Sequence, residues 1–151
     1  MRRLIITDTS CLIIFDKIDG FWILQKVYDE VITTNEVKKE FGKPLPSWIK
    51  TELVKDIKYQ KFLETQLDLG ESSAIALAAE LENSILILDD LKARKFAKRL
   101  GFRLTGSLGI LNKARQMGLI DKIKPFLDKL KETDFRISDN IINDLLDKNN
   151  E

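Results

Sequence analysis

Two short runs of branched apolar residues in this chain each stop on acid. Leu4-Ile5-Ile6-Thr7 ends at Asp8, and Ser84-Ile85-Leu86-Ile87-Leu88 ends at Asp89-Asp90. Short runs that are apolar throughout, rather than at every second position, fit strands of a parallel sheet covered on both faces. In an open α/β sheet, ligands bind outside the carboxyl ends of the strands. Acids at two strand ends far apart in sequence can therefore face one crevice. The chain has no histidine, which leaves carboxylates, hydroxyls and a metal ion to run any chemistry there.

The rest of the chain alternates strand and helix. At 151 residues, a single domain over 1–151 is expected, long enough to bury roughly 70% of its unfolded surface. Residues 3–7 read as a strand, and Ser10 to about Asp19 as a helix closed by Gly20. A helix near 21–27 leads to a strand at Glu30-Val31-Ile32-Thr33. Thr34 or Asn35 then caps a helix running through Glu36, Val37 and Glu40 to Gly42. Beyond Pro44 and Pro46, residues 48–54 fit a strand or an irregular extension equally. Further helices are expected near 56–66, from Glu71 (after Gly70) to Glu82, from Leu91 to Leu100 before Gly101, from Thr105-Gly106-Ser107 to about Met117, and near 121–131 and 139–148. Strands are expected at 85–88 and 102–104, and a frayed end at 148–151. The alternation predicts an α/β fold with a mostly parallel central sheet between helical layers.

A net charge of +1 writes no long-range attraction to nucleic acid into the total, so any polyanion site must be a local patch. Cys11 is the only cysteine; set in an apolar stretch, it reads as a buried structural thiol. Without a cysteine or histidine cluster, a structural zinc site is excluded. The apolar stretch after Arg2-Arg3 is too short for a signal peptide or a spanning helix, and a cytoplasmic protein with no membrane partner is expected.

Each acid has a purely structural role available. Asp8, Thr9 and Ser10 are good N-cap residues, Glu71 suits a helix first turn, and Asp89-Asp90 precede a basic helix. Glu36 and Glu40 lie beside Lys38 and Lys39 and fit a solvated face. One cause explains them together: a carboxylate cluster that repels itself unless protons or cations neutralise it. Oxygen ligands suit Mg²⁺ or Mn²⁺, which can activate water and stabilise an in-line phosphoryl displacement. In the basic helix, Lys92, Lys95 and Arg99 recur at helical spacing, with Arg94 and Lys98 as a neighbouring pair. As the helix starts at the proposed ligands, Lys92, Arg94 and Lys95 are candidates to hold a phosphate backbone. Thr9, Ser10, Thr105 and Ser107 are candidates to contact substrate, positioning water or phosphate, or to cap the helices that follow them.

These residues resemble the PIN-domain family, in particular a single-domain prokaryotic branch of VapC-like proteins. The resemblance rests on Asp8-Thr9-Ser10, Val37-Lys38-Lys39-Glu40, Gly70-Glu71-Ser72-Ser73-Ala74-Ile75-Ala76-Leu77-Ala78, Leu88-Asp89-Asp90-Leu91-Lys92-Ala93-Arg94, Thr105-Gly106-Ser107-Leu108-Gly109-Ile110-Leu111 and Phe135-Arg136-Ile137-Ser138. The ordered set spans nearly the whole chain. It implies an α/β/α sandwich whose acidic pocket binds Mg²⁺ or Mn²⁺ and cleaves RNA.

By position, Asp8, Glu40, Glu71 and Asp89 are the implied acidic quartet. Asp8, Glu71, Asp89 and Asp90 are the candidate metal ligands, and Glu36 is the reserve for Glu40. Glu71 stands where many PIN branches have Asp. A strand turning into a helix aims only one of Asp89 and Asp90 inward, which leaves the two open; Asp89 is the favoured one.

The resemblance further implies a homodimer and a small antitoxin partner, for which Phe21, Trp22, Leu24 and Trp48 are candidate contacts or else core. The expected activity is that of a metal-dependent endoribonuclease using metal-activated water, the toxin of a toxin–antitoxin pair. A DNA nuclease of the same fold and an inactive binding scaffold are alternatives. A phospho-receiver domain is disfavoured, since Thr9 rather than a second acid follows Asp8.

Overall fold

In the computed structural model, which describes residues 3–151, successive residues of each strand pack on opposite faces of one sheet. Ile5, Val31 and Ile87 join one hydrophobic cluster, while Ile6, Ile32 and Leu86 join a second. The strands are β1 (Leu4–Thr7), β2 (Glu30–Thr34), β3 (Ile49–Glu52), β4 (Ser84–Ile87) and β5 (Leu104–Thr105). They lie in the order β3-β2-β1-β4-β5, with every pairing parallel. Neither face of the central strands is left to water, which explains why β1, β2 and β4 carry little polar alternation, while the edge strand β3 exposes Lys50 and Glu52. Chain order runs outward from β1 on one side and from β4 on the other. The topological switch point is thus the crevice at the carboxyl ends of β1 and β4.

The helices are α1 (Thr9–Lys17), α2 (Phe21–Val27), α3 (Asn35–Phe41), α4 (Ile57–Glu64), α5 (Leu69–Glu80), α6 (Leu91–Arg99), α7 (Ser107–Gln116), α8 (Lys124–Lys131) and α9 (Asp139–Lys148). The cluster that takes Ile5 gathers side chains from α1, α2, α7, α8 and α9, and the cluster that takes Ile6 gathers them from α4, α5 and α6. The result is an α/β/α sandwich. Within α5 the buried residues run from Ser72 through Ala78 without interruption, so small side chains let this helix sit close against the sheet. No helix among the described residues is long and apolar enough to cross a membrane.

Several local expectations change. Gly20 does not close α1: Ile18 is the C-cap, Asp19 takes the left-handed conformation (φ 52°), and Gly20 is the N-cap of α2. Glycine is needed there for space, since a Cβ would lie 3.0 Å from Ile18 and 3.2 Å from Phe15. Residues 49–52 resolve as an edge strand paired to β2. The helix expected from Glu71 starts at Leu69, because Asp68 caps it. The helix expected from about 121 starts at Lys124, with Pro125 in the first turn, where its missing N–H costs nothing.

The end expected to fray is held. Glu151 accepts hydrogen bonds from the Ile123 and Lys124 N–H groups (2.9 and 3.1 Å), and Asn149 Nδ2 donates to Asn112 Oδ1 (2.8 Å). Of the four candidate partner contacts, Leu24 is core, Phe21 and Trp48 pack against the core, and Trp22 is exposed.

Candidate active site

Asp8 follows β1 directly and is buried, with Oδ1 accepting the Cys11 N–H at 2.9 Å. This is the N-cap of α1, so the capping role and a place in the crevice belong to the same residue. Burial pushes its carboxyl well above the ordinary range, with the charges of Asp89 and Glu71 adding to the rise and the Cys11 and Asp89 N–H groups opposing it. The side chain of Cys11 lies fully buried behind this carboxylate. Its thiol is raised by burial first, and then by the charges of Asp8 and Asp89.

Asp89 and Asp90 divide the work. Asp90 turns to α6 and caps it, accepting the Ala93 N–H at 2.9 Å. Asp89 turns into the crevice, where the Ser107 N–H donates to Oδ1 (2.8 Å) and the Ser107 hydroxyl to Oδ2 (2.7 Å). Both carboxylate oxygens are thereby fixed from β5–α7. Burial raises the pKa of Asp89, against the lowering effect of Ser107 and of the nearby Arg94 guanidinium. Ser107 does not cap α7, whose N-cap is Gly106 without a side-chain bond; its hydroxyl orients Asp89 instead. Thr105 makes one long contact, from Oγ1 to the Gly106 carbonyl (3.4 Å).

On the other side of the crevice stands the start of α5. Asp68 caps it by accepting the Glu71 N–H at 2.8 Å, which brings two carboxyl groups together. Glu71, half-buried, is pushed up to about 7, by burial first and then by the charges of Asp68 and Asp90, with Asp68 also accepting a hydrogen bond from its protonated form. Asp68 was missed from the sequence, although the spacing Asp68-x-x-Glu71 before an apolar run is an N-terminal capping signal.

Glu40, at the end of α3, reaches over Gly70. A Cβ on Gly70 would collide with the Glu40 carboxylate and lie 2.9 Å from Thr9 Oγ1. Glycine at this helical position is thus a requirement for space, which ties α1, α3 and α5 together. Glu40 is raised by partial burial and by Asp68, and lowered by contacts to Thr9 and to the Gly70 N–H. Thr9 Oγ1 is buried without a hydrogen bond of good geometry.

Other expected members sit elsewhere. Glu36 accepts the Gln60 Nε2 donor at 2.7 Å and is not among the charges that perturb the four crevice acids. Ser10 is exposed. Of the three basic candidates, Arg94 turns toward the acids, with Nη1 donating to the Leu88 carbonyl at 2.7 Å. Lys92 and Lys95 are exposed and line a groove with Gln66, Phe96 and Arg99. Buried Ala93 and Ala97 fix α6 against the sheet, and that orientation separates the two sets of cations.

A family model described as PIN domain matches residues 4–151. The chain belongs to the PIN-domain family. Comparison with curated proteins finds no match to this sequence. A PIN domain is a nuclease fold, and PIN domains typically bind divalent metal ions.

The donor chemistry fits such an ion. Every acid in the crevice offers hard oxygen ligands, and three carboxyls, Asp8, Glu40 and Glu71, are raised by burial first and then by neighbouring negative charge, which a cation would relieve. No three of the described acids gather closely enough to hold one ion between them. Asp8 and Asp89 are the inward pair, and Asp90, spent on its cap, acts on Glu71 by charge.

Proposed function

We propose that this PIN-domain protein is a metal-dependent endoribonuclease that hydrolyses RNA phosphodiester bonds. The observation that supports it best is the placement of Asp8 and Asp89. Two buried or part-buried carboxylates from adjacent parallel strands meet at the switch point, each held by backbone N–H donors. Holding them there raises the pKa of both by burial, a standing cost that makes sense where a cation is bound in use.

Asp8 and Asp89 would hold a divalent ion, which supplies charge neutralisation for the phosphate and lowers the pKa of water. The residues around it do distinct work. Ser107 locks the Asp89 carboxylate in one orientation, a supporting role that typically matters 10–100-fold. Glu71, pushed to about 7, is poised to accept or return a proton near neutral pH. Arg94, anchored on Leu88, offers its remaining donors to a phosphate oxygen. Glu40 fixes the spacing of α3 and α5 through Gly70.

The test is cleavage of a mixed RNA pool with Mg²⁺ or Mn²⁺. Wild type is expected to cut only with the metal, and Asp8→Asn and Asp89→Asn are each expected to lose more than ~100-fold. Equal cleavage by wild type and both variants, or cleavage indifferent to chelation, refutes the proposal. As a toxin, the wild-type chain would arrest growth of a bacterial host, and Asp8→Asn would not.

A further inference from the structure

A cavity of about 560 Å³ that includes Asp89 in its wall lies between the start of α6, the β5–α7 turn and the segment 135–138. Asp89 and Arg94 form its near end, and Phe135 and Arg136 its far wall. Its size falls in the range of pockets that hold small ligand units, ~300–1,000 Å³.

The far wall is held in place. The Phe135 N–H donates to Thr133 Oγ1 (3.1 Å), and Ser138 caps α9 by accepting the Ile141 N–H (3.2 Å). Phe135 and Ile137 pack against the hydrophobic cluster on that side of the sheet. Between them Arg136 is exposed, and among the described residues it makes no ion pair or hydrogen bond. The near end is equally defined. A Cβ on Gly106 would lie 2.8 Å from Arg94 Nη1 and 3.2 Å from Asp89 Oδ1, so a glycine makes room for the guanidinium at the mouth.

A cavity lined by two guanidinium groups, an aromatic ring and apolar side chains matches one chemical unit, a flat base joined to a phosphodiester. Stacking on a protein ring uses the face of an unpaired base, which favours single strands. We propose that this cleft takes the nucleotide next to the scissile bond of single-stranded RNA, with its phosphate between Arg94 and Arg136 and its base against Phe135. The assignment rests on the ribonuclease reading for the scissile bond, and it gives a function to Phe135-Arg136-Ile137-Ser138, which lies outside the acidic site.

Binding and cleavage separate the two claims. Affinity for a fluorescein-labelled single-stranded hexaribonucleotide is read by anisotropy across a salt series, with chelator present to prevent cutting. Arg136→Ala is expected to bind ~5- to 10-fold more weakly and to lower the salt slope by about 1. Phe135→Leu is expected to bind at least ~5-fold more weakly with the slope unchanged, and Phe135→Trp to restore binding. Melting temperature checks that each variant is folded. A 4-thiouridine oligonucleotide is expected to crosslink within residues 133–138.

Variants that bind like wild type, or crosslinks confined to other segments, overturn the cleft even if RNA is cleaved. A wild type that binds and crosslinks there but cuts no RNA with Mn²⁺ keeps the cleft and defeats the ribonuclease reading. Absence of binding by wild type overturns the cleft. A deoxyribose oligomer bound as tightly, with the same losses, overturns the assignment to RNA.

Discussion

Glu71→Gln is expected to stabilise the protein at pH 8 and to leave it nearly unchanged at pH 4. Folding raises the Glu71 pKa from 4.5 to about 7, so the folded state binds the proton more tightly than the unfolded state. Stability from this group is fully present below about pH 4.5, declines as pH rises toward 7, and is absent above it. Tenfold in binding is ~1.4 kcal/mol, so a fully shielded acid would cost ~3 kcal/mol at pH 8. Glu71 is half-buried, and solvent screening reduces this to ~1 kcal/mol. The amide removes that cost, keeps the shape, and can donate to Asp68.

For a chain of this length the gain corresponds to ~2–4 °C in Tm. The assay is thermal unfolding of both proteins from pH 4 to pH 8 in chelator, followed by circular dichroism. The difference should be near zero at pH 4 and should open between pH 4.5 and 7. A variant that melts below wild type at pH 8, or a difference constant with pH, refutes the assignment of Glu71 as a strained acid. Saturating Mn²⁺ should raise the Tm of both proteins, since ligand at 100 times its Kd adds ~2.7 kcal/mol, and should narrow the gap because the ion also relieves the Glu71 charge present only in wild type.

Asp8→Asn should also raise Tm at neutral pH while abolishing cleavage, because Asn keeps an acceptor for the Cys11 N–H and removes a buried charge; a variant that melts lower refutes this. Ser107→Ala should lower stability by ~1.5–3 kcal/mol by removing a charge-assisted hydrogen bond, and should shift the pH dependence of cleavage upward as Asp89 loses a donor; an unchanged profile counts against the orienting role. Gly70→Ala has helical backbone geometry available but no space, so urea unfolding should show a loss of ~1–3 kcal/mol from overpacking. Gly70→Ala/Glu40→Ala should recover much of that loss, and no recovery would mean that Glu40 does not occupy the space above Gly70.

The sheet was legible because β1 and β4 are short apolar runs with acids at their ends, a pattern imposed by burial on both faces. The turn chemistry was less so. Gly20 follows a helix, and only packing against Ile18 and Phe15 shows that its small size, rather than a left-handed φ, is what the position needs. Sequence periodicity grouped Lys92, Arg94 and Lys95 on one helix, but the direction of each depends on how Ala93 and Ala97 seat α6. That only one of Asp89 and Asp90 faces the crevice was readable from a strand turning into a helix; which one needed the Ser107 and Ala93 contacts. The orienting function of Ser107 needed β5 to lie beside β4, a long-range pairing that no local pattern encodes. Asp68 was readable as a cap; its proximity to Glu71 makes it part of the electrostatics as well.

The bonds from Glu151 to Ile123 and Lys124 close a ring of chain that carries α8, α9 and the Phe135-Arg136 wall. Closing a flexible loop of this size has an entropic cost that grows only slowly with its length, so a clasp of two N–H donors on one carboxylate, with Arg115 Nε at 3.7 Å, can hold the whole ring. The Phe135-Arg136 wall is therefore restrained twice, by its own contacts to Thr133 and the core and by the clasp at the base of the ring. Weakening that clasp by Glu151→Gln would leave every cleft residue in the sequence and still widen the distribution of positions that Arg136 samples. A ring closed noncovalently at its base thus links one carboxylate, at Glu151, to the segment that carries one guanidinium of the cleft.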